Sequence, residues 1–162
     1  MPRKTEQKKT LDAFDRAILR ILQDDNKTPQ RTISEAVNLS AAAVQRRISA
    51  LENAGVIARN SAVVNPDTIP LTITAIVELQ LRDERAMTVD AAKTTFGNAP
   101  EVQQCYYGTG RTSFILIIVT SDMRTYEALT RQLFATNDLV ASYRTLIALD
   151  KVKTGTGIFI PE

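Results

Sequence analysis

Histidine is absent from this 162-residue sequence, and cysteine occurs once, as Cys105. Histidine is the commonest general base and the commonest metal ligand in proteins, so its absence disfavours most enzymatic interpretations. A single cysteine cannot form an internal disulfide, which favours a reducing compartment such as the cytoplasm. We therefore expect no catalytic residue, no metal site and no bound cofactor.

Long hydrophobic runs are also absent. No segment approaches the ~18 consecutive apolar residues of a membrane-spanning helix, and the first letters, MPRKTEQKKT, lack the apolar core of a signal peptide. The composition, 44% hydrophobic and 23% charged, is typical of a globular protein. We predict one domain or two small ones, with no membrane partner.

A charge asymmetry favours two domains. Residues 1–66 carry 11 Lys and Arg against 7 Asp and Glu, a net charge of +4, whereas residues 67–162 carry 9 against 11, a net charge of −2. A polyanion would bind to the basic first part. Chance is the alternative, since imbalances of this size are common in small domains.

Cap and turn signals in the first part predict a helix-turn-helix. Thr10 is placed to cap a first helix, whose apolar stripe is Phe14, Ile18, Ile21 and Leu22. Thr32 and Glu35 have the spacing of a capping box that would begin a second helix. Asn38 then supplies the left-handed residue that a tight corner requires.

The third helix would be capped by Ser40 and ended by Gly55 in the left-handed conformation. Its apolar stripe is Val44, Ile48 and Leu51. The opposite face combines small alanines with long polar side chains. This combination is typical of a recognition helix that enters the major groove of DNA. The residues of this helix that we expect to contact DNA are Ser40, Ala42, Ala43, Gln45, Arg46, Arg47 and Ser49.

The side chains on this face suit particular groups of DNA. Alanine methyls permit close approach, Gln45 can hydrogen-bond an adenine edge, and Arg46 a guanine or a phosphate. Arg47 lies nearer the flank of the helix, where a backbone phosphate is the expected partner. The alternative is an ordinary solvated helix face.

The segment VIARNSAVVNP predicts a small wing of two short strands around Asn60 and Ser61. Arg59 near its tip would contact a phosphate, or would be an ordinary surface arginine. We therefore assign residues 1–64 to a winged helix-turn-helix domain with a basic N-terminal tail, followed by a proline-containing linker, residues 65–72.

Residues 73–162 predict a ferredoxin-like domain. ITAIVELQL alternates as a strand, a helix follows up to Gly97, and the strands VQQCYYG and SFILIIV flank a GTGRT turn. The helix MRTYEALTRQLFA and the strand VASYRTLIAL complete a β-α-β-β-α-β order. The fold class is therefore α+β, with both helices on one face of an antiparallel sheet.

The strand SFILIIV is apolar on both faces, although the helices can cover only one face of this sheet. A second copy of the same sheet is the simplest cover for the other face, to which Ile76 also belongs. We therefore predict a homodimer, which would present two recognition helices to double-stranded DNA.

The stretches LDAFDRAILRILQDD and ISEAVNLSAAAVQRRISALENAGVI, followed by the βαββαβ pattern, closely resemble the Lrp/AsnC, or feast/famine, regulators over about residues 10–153. The resemblance implies a bacterial or archaeal transcription regulator, associated with the nucleoid, whose dimers often assemble into octamers. It also implies an amino acid or related small molecule as an effector.

By the same resemblance, the effector would lie against the glycine turn between the second and third strands, where backbone amides could hold a carboxylate. Gly110 matches the family's glycine, whereas Ser113 occupies a position that often carries an aspartate and would receive an ammonium group less strongly. The alternatives are a different or more acidic ligand, which Arg111 and Thr112 would favour, and a plain glycine hairpin without a ligand. The residues assigned to the effector site are Gly108, Thr109, Gly110, Arg111, Thr112, Ser113, Val140, Ala141 and Ser142.

Two other functions stay open at this point. One is an architectural protein that compacts DNA with little sequence preference, which the basic residues Arg3, Lys4, Lys8 and Lys9 would suit. The other is an enzyme or small-molecule carrier built on the ferredoxin-like domain, since a fold does not determine a function. The absence of histidine and of clustered carboxylates disfavours the enzyme.

Overall fold

The computed structural model describes residues 9–65 and 68–162, which form two compact units. The first unit comprises Met1–Val63 together with Thr154–Glu162, and the second is Val64–Lys153. The residues of the predicted basic tail that lie outside the described ranges are Arg3, Lys4 and Lys8. No helix in the described part of the chain has the length and apolarity needed to cross a membrane.

The first unit has three helices, α1 (Ala13–Asp24), α2 (Gln30–Val37) and α3 (Ala41–Asn53). They pack around a small buried core of Ile18, Ile33, Val37 and Val44. The corner between α2 and α3 confirms the prediction for Asn38, whose φ is +54°. Ser40 caps α3 by accepting the Ala43 N–H at 3.2 Å, and Gly55 follows the helix with a φ of +68°, both as predicted.

Two predicted helix starts are wrong. Asp12, not Thr10, caps α1: its carboxylate accepts the Asp15 N–H at 2.8 Å, and a negative charge is favoured at the helix N-terminus. Helix α2 begins directly after Pro29, whose fixed φ suits a helix start. Thr32 therefore lies inside the helix and forms no capping box.

The two strands predicted for the wing are not found, because residues 56–65 contain no strand. The side chains of Val63 and Val64 are exposed, so no apolar contact holds a second strand in place. The Asn60 amide instead donates a hydrogen bond to Glu52 on α3, at 3.1 Å.

The C-terminal residues run along α1 within the first unit. The Gln23 amide donates to the Ile158 carbonyl at 2.7 Å and accepts the Ile158 N–H at 3.1 Å. Arg20 donates to the carbonyls of Ile160 and Pro161. These contacts join residues far apart in the chain, which no local sequence pattern predicts.

The second unit confirms the predicted β-α-β-β-α-β order. Its elements are β1 (Ile73–Leu81), α4 (Ala86–Gly97), β2 (Val102–Tyr107), β3 (Phe114–Thr120), α5 (Met123–Thr130), extended by a π-helical turn (Arg131–Ala135), and β4 (Val140–Ile147). The strands are antiparallel in the order β2-β3-β1-β4. Both helices bury their apolar residues against the same sheet face, where Phe96 makes edge-to-face contacts with Phe114 and Phe134.

Candidate DNA-contact surface and ligand site

Except for Arg47, the predicted DNA-contact residues of α3 lie on its solvent-facing side, with Arg59 exposed in the segment that follows the helix. The other members of the set on α3, all of them exposed or half-buried, are Ala42, Ala43, Gln45, Arg46 and Ser49. The Gln45 amide is hydrogen-bonded to Gln30 on α2 and donates to the Ser49 hydroxyl at 3.4 Å. Arg46 forms no ion pair with any described residue.

Arg47 has partners inside the first unit. Its Nη1 donates to Asp12 Oδ2 at 2.8 Å and to Asp15 Oδ1 at 2.7 Å, and its guanidinium lies 5.3 Å from the centroid of the Phe14 ring. The hydrogen bond to Asp15 raises the pKa of Arg47, while the Asp15 N–H and the Arg47 side chain lower the pKa of Asp12. Asp15 is only 3% exposed, so this ion pair joins α3 to α1 in a largely buried setting.

An Arg47→Met variant is expected to lose about 2 kcal/mol of unfolding free energy, because it leaves the buried Asp15 carboxylate with Lys9 alone, at 3.5 Å. A fully buried pair would cost ~3–5 kcal/mol, but the Arg47 side chain is 28% exposed and partly screened. Urea unfolding followed by helical circular dichroism measures the loss.

Arg46→Met is the matched control for Arg47→Met, because Arg46 is a neighbouring exposed arginine that forms no ion pair with a described residue. It should change the free energy of unfolding by less than about 0.5 kcal/mol. An Arg47→Met, Asp15→Asn double variant should recover part of the loss, because no buried charge is then left unpaired. Equal stability of the two single variants would show that the ion pair contributes nothing.

The glycine turn between β2 and β3 is closed by a hydrogen bond from the Gly108 N–H to the Ser113 carbonyl, at 3.0 Å. Gly110 has a φ of +111°, a conformation that residues with a side chain rarely adopt, which explains glycine at this position. The residues of the turn that are exposed are Gly108, Thr109, Gly110 and Arg111, and Thr112 is half-buried.

Ser113 is 3% exposed and already hydrogen-bonded within the unit. Its hydroxyl accepts the Leu81 N–H at 3.0 Å and donates to Glu84 Oε1 at 2.5 Å. Glu84 Oε2 accepts a hydrogen bond from the Tyr107 hydroxyl at 2.9 Å, which raises the pKa of Tyr107. Glu84, in the loop after β1, thus places a carboxylate beside Ser113, a contact that no local sequence pattern predicts.

A cavity of about 420 Å³ opens beside β1, β4 and the glycine turn. Its lining residues are Glu78, Leu79, Gln80, Arg111, Thr112, Ser142, Tyr143 and Arg144. Three predicted effector residues, Arg111, Thr112 and Ser142, are among them. The predicted residues that do not line it are Gly108, Thr109, Gly110, Ser113, Val140 and Ala141, of which Val140 is buried in the core. Within the described ranges, no cluster of histidine, cysteine, aspartate or glutamate could hold a metal ion.

The sheet face opposite the helices carries an apolar patch that reaches all four strands, beside the polar residues Glu78, Gln80 and Arg144, which line the cavity on the same face. This patch, the apolar sheet face, consists of Ile76, Tyr106, Ile115, Ile117, Val119 and Leu146. Ile76 is the cross-strand partner of both Ile117 and Leu146, so the three side chains form one row. Tyr106, Ile115 and Leu146 are 56%, 40% and 45% exposed. An apolar surface of this kind is typical of a protein–protein interface.

Both units match known protein families. Residues 11–58 match a winged helix-turn-helix DNA-binding domain, and residues 74–158 match the Lrp/AsnC ligand binding domain. An uncharacterised HTH-type transcriptional regulator of Sinorhizobium fredii is 37% identical over 143 residues, 88% of this chain and 85% of that protein.

Solved structures show the same fold. An AsnC family transcriptional regulator from Agrobacterium tumefaciens superposes with a TM-score of 0.85 at 26% identity, covering 91% of this chain and 96% of that one. A transcriptional regulator from Neisseria meningitidis, in complex with L-methionine, superposes with a TM-score of 0.83 at 26% identity, covering 92% and 96%.

Proposed function

Because this chain belongs to the Lrp/AsnC family of transcriptional regulators, we propose that it regulates transcription by binding specific sequences of double-stranded DNA. The family consists of regulators with a DNA-binding and a ligand-binding domain, not of enzymes. The expected location is the cytoplasm, in contact with the nucleoid, because a bacterial or archaeal regulator meets its DNA there.

The observation that carries this proposal is the exposed face of α3. Gln45 and Arg46 project from it beside small residues that permit close approach, so Gln45 would hydrogen-bond adenine and Arg46 guanine in a major groove. Arg47 would hold α3 in position instead of contacting a phosphate, since two carboxylates already engage its guanidinium. The remaining proposed contacts, to the DNA backbone or by close approach, are Ser40, Ala42, Ala43, Ser49 and Arg59.

The protein would act as a homodimer or a higher oligomer, formed through the apolar sheet face. The helices occupy the other side of the sheet, so a second copy of this chain is the simplest cover for Ile76, Ile117 and Leu146. Two-fold symmetry would then present two copies of α3 to a pseudo-palindromic site, which one helix could recognise only weakly.

The activity would respond to an amino acid or related small molecule bound by the second unit. The Neisseria meningitidis regulator, which has the same fold, is in complex with L-methionine. In this chain the cavity beside the glycine turn is a suitable place for such an effector.

A competition gel shift tests the proposed function. The protein is titrated onto the DNA upstream of its own coding sequence, with unlabelled competitor of either that fragment or random sequence. We expect the upstream fragment to compete at least ~10³-fold better, the lower end for specific DNA-binding proteins. Equal competition by both DNAs would contradict a sequence-specific regulator and favour an architectural protein.

A further inference from the structure

The cavity of the second unit has a polar and charged lining. The charged or hydrogen-bonding side chains on the cavity side are Glu78, Gln80, Arg111, Thr112, Ser142 and Arg144. Tyr143 also lines the cavity, but its ring packs against Phe134 on the helix side of the sheet. The Leu79 side chain belongs to the buried core, so the backbone of this residue faces the cavity. The volume of about 420 Å³ lies within the ~300–1,000 Å³ of typical small-molecule sites.

The two arginines of the lining differ in their partners. Arg144 donates to Glu78, its cross-strand partner on β1, at 2.9 Å, so these two charges neutralise each other. Arg111 is exposed and forms no ion pair with any described residue. The lining therefore carries one excess positive charge, on a guanidinium whose planar geometry suits a carboxylate.

From this lining we propose that the cavity binds an acidic amino acid, which has two carboxylates and one ammonium group. The ammonium group contacts Glu78, and the carboxylates contact Arg111 and Arg144. This inference rests on the effector role in the proposed function and names the class of ligand. The apolar side chain of a ligand such as methionine gains little here, because polar groups form most of the lining.

Isothermal titration calorimetry of the full chain with L-glutamate, L-aspartate, L-glutamine and L-methionine tests the ligand class. At least one acid is expected to bind about tenfold more tightly than L-glutamine, because the neutral amide loses one charge-assisted pair of hydrogen bonds. Arg111→Gln should remove this preference. Arg131→Gln is the matched control, since Arg131 is an exposed arginine that pairs with Glu127 outside the cavity, and it should keep the preference.

Three results would overturn the inference: no binding of either acid, tighter binding of L-methionine, or an acid preference that survives Arg111→Gln. The gel shift on the same preparations separates these failures from a failure of the proposed function. If the native chain binds DNA specifically but shows no preference for acids, only the proposed ligand class is refuted. If the native chain shows no specific DNA binding, the proposed function as a regulator is refuted.

Discussion

An Ile117→Asp variant is expected to be monomeric at concentrations at which the native chain forms the proposed dimer. Ile117 lies in the middle of the apolar sheet face, directly opposite Ile76 on β1. In a face-to-face dimer the new carboxylate would be desolvated against apolar side chains, at a cost of several kcal/mol per protomer, and two-fold symmetry imposes that cost twice. We expect the dimer dissociation constant to rise by at least roughly a thousandfold, measured by sedimentation equilibrium.

Met87→Asp is the matched control for Ile117→Asp. Met87 is an apolar residue of the same unit, 87% exposed on α4 and away from the apolar sheet face, so its replacement should leave the dimer intact. Circular dichroism should show that both variants keep the native fold. A fully dimeric, folded Ile117→Asp protein would contradict assembly through this sheet face.

Gln45→Ala and Arg46→Ala are each expected to weaken binding to the specific DNA site by roughly a hundredfold. A good bidentate contact to a base discriminates by about 1–3 kcal/mol, and a symmetric dimer makes each contact twice. Gln45 carries no charge, so its loss should leave the affinity for random DNA unchanged. Fluorescence anisotropy with the specific and the random duplex, at the same salt concentration, measures both affinities.

The matched control for Arg46→Ala is Arg124→Ala, which removes an exposed arginine from α5 in the second unit and should leave both affinities unchanged. If Gln45→Ala weakened binding to both duplexes equally, α3 would contact the DNA without base recognition. An unchanged affinity in both variants would mean that another surface contacts the DNA.

The order of elements was predictable because each depends on a local pattern. Alternation in β1 and the doubly apolar β3 predicted strands, and the corner at Asn38 followed from the tolerance of asparagine for positive φ. The helix starts were less predictable, since Thr10 and Asp12 are both good caps and only the folded backbone selects the carboxylate. The prediction of two wing strands was wrong because an alternating pattern alone does not stabilise a hairpin. A hairpin also needs an apolar face packed against another element.

The candidate sites were predictable only in part, because their contacts join distant segments. The pair of Glu78 with Arg144 depends on the register between β1 and β4, two strands at opposite ends of the second unit's sequence, and appears only once they are paired. Glu84 likewise reaches Ser113 from a loop that is distant in the chain. Arg47 has the position of a DNA contact within α3, and only the packing of α1 reveals its two acidic partners.

Hydroxyl-radical footprinting on the upstream DNA is the measurement that tests the central claim most directly. A symmetric dimer that inserts two copies of α3 should protect two half-sites related by a pseudo-two-fold axis, with centres about 10–10.5 base pairs, or a multiple of that spacing, apart. The half-site pattern should disappear with Ile117→Asp at equal protein concentration. Continuous protection without a preferred register, unchanged in that variant, would contradict a dimeric, sequence-specific regulator.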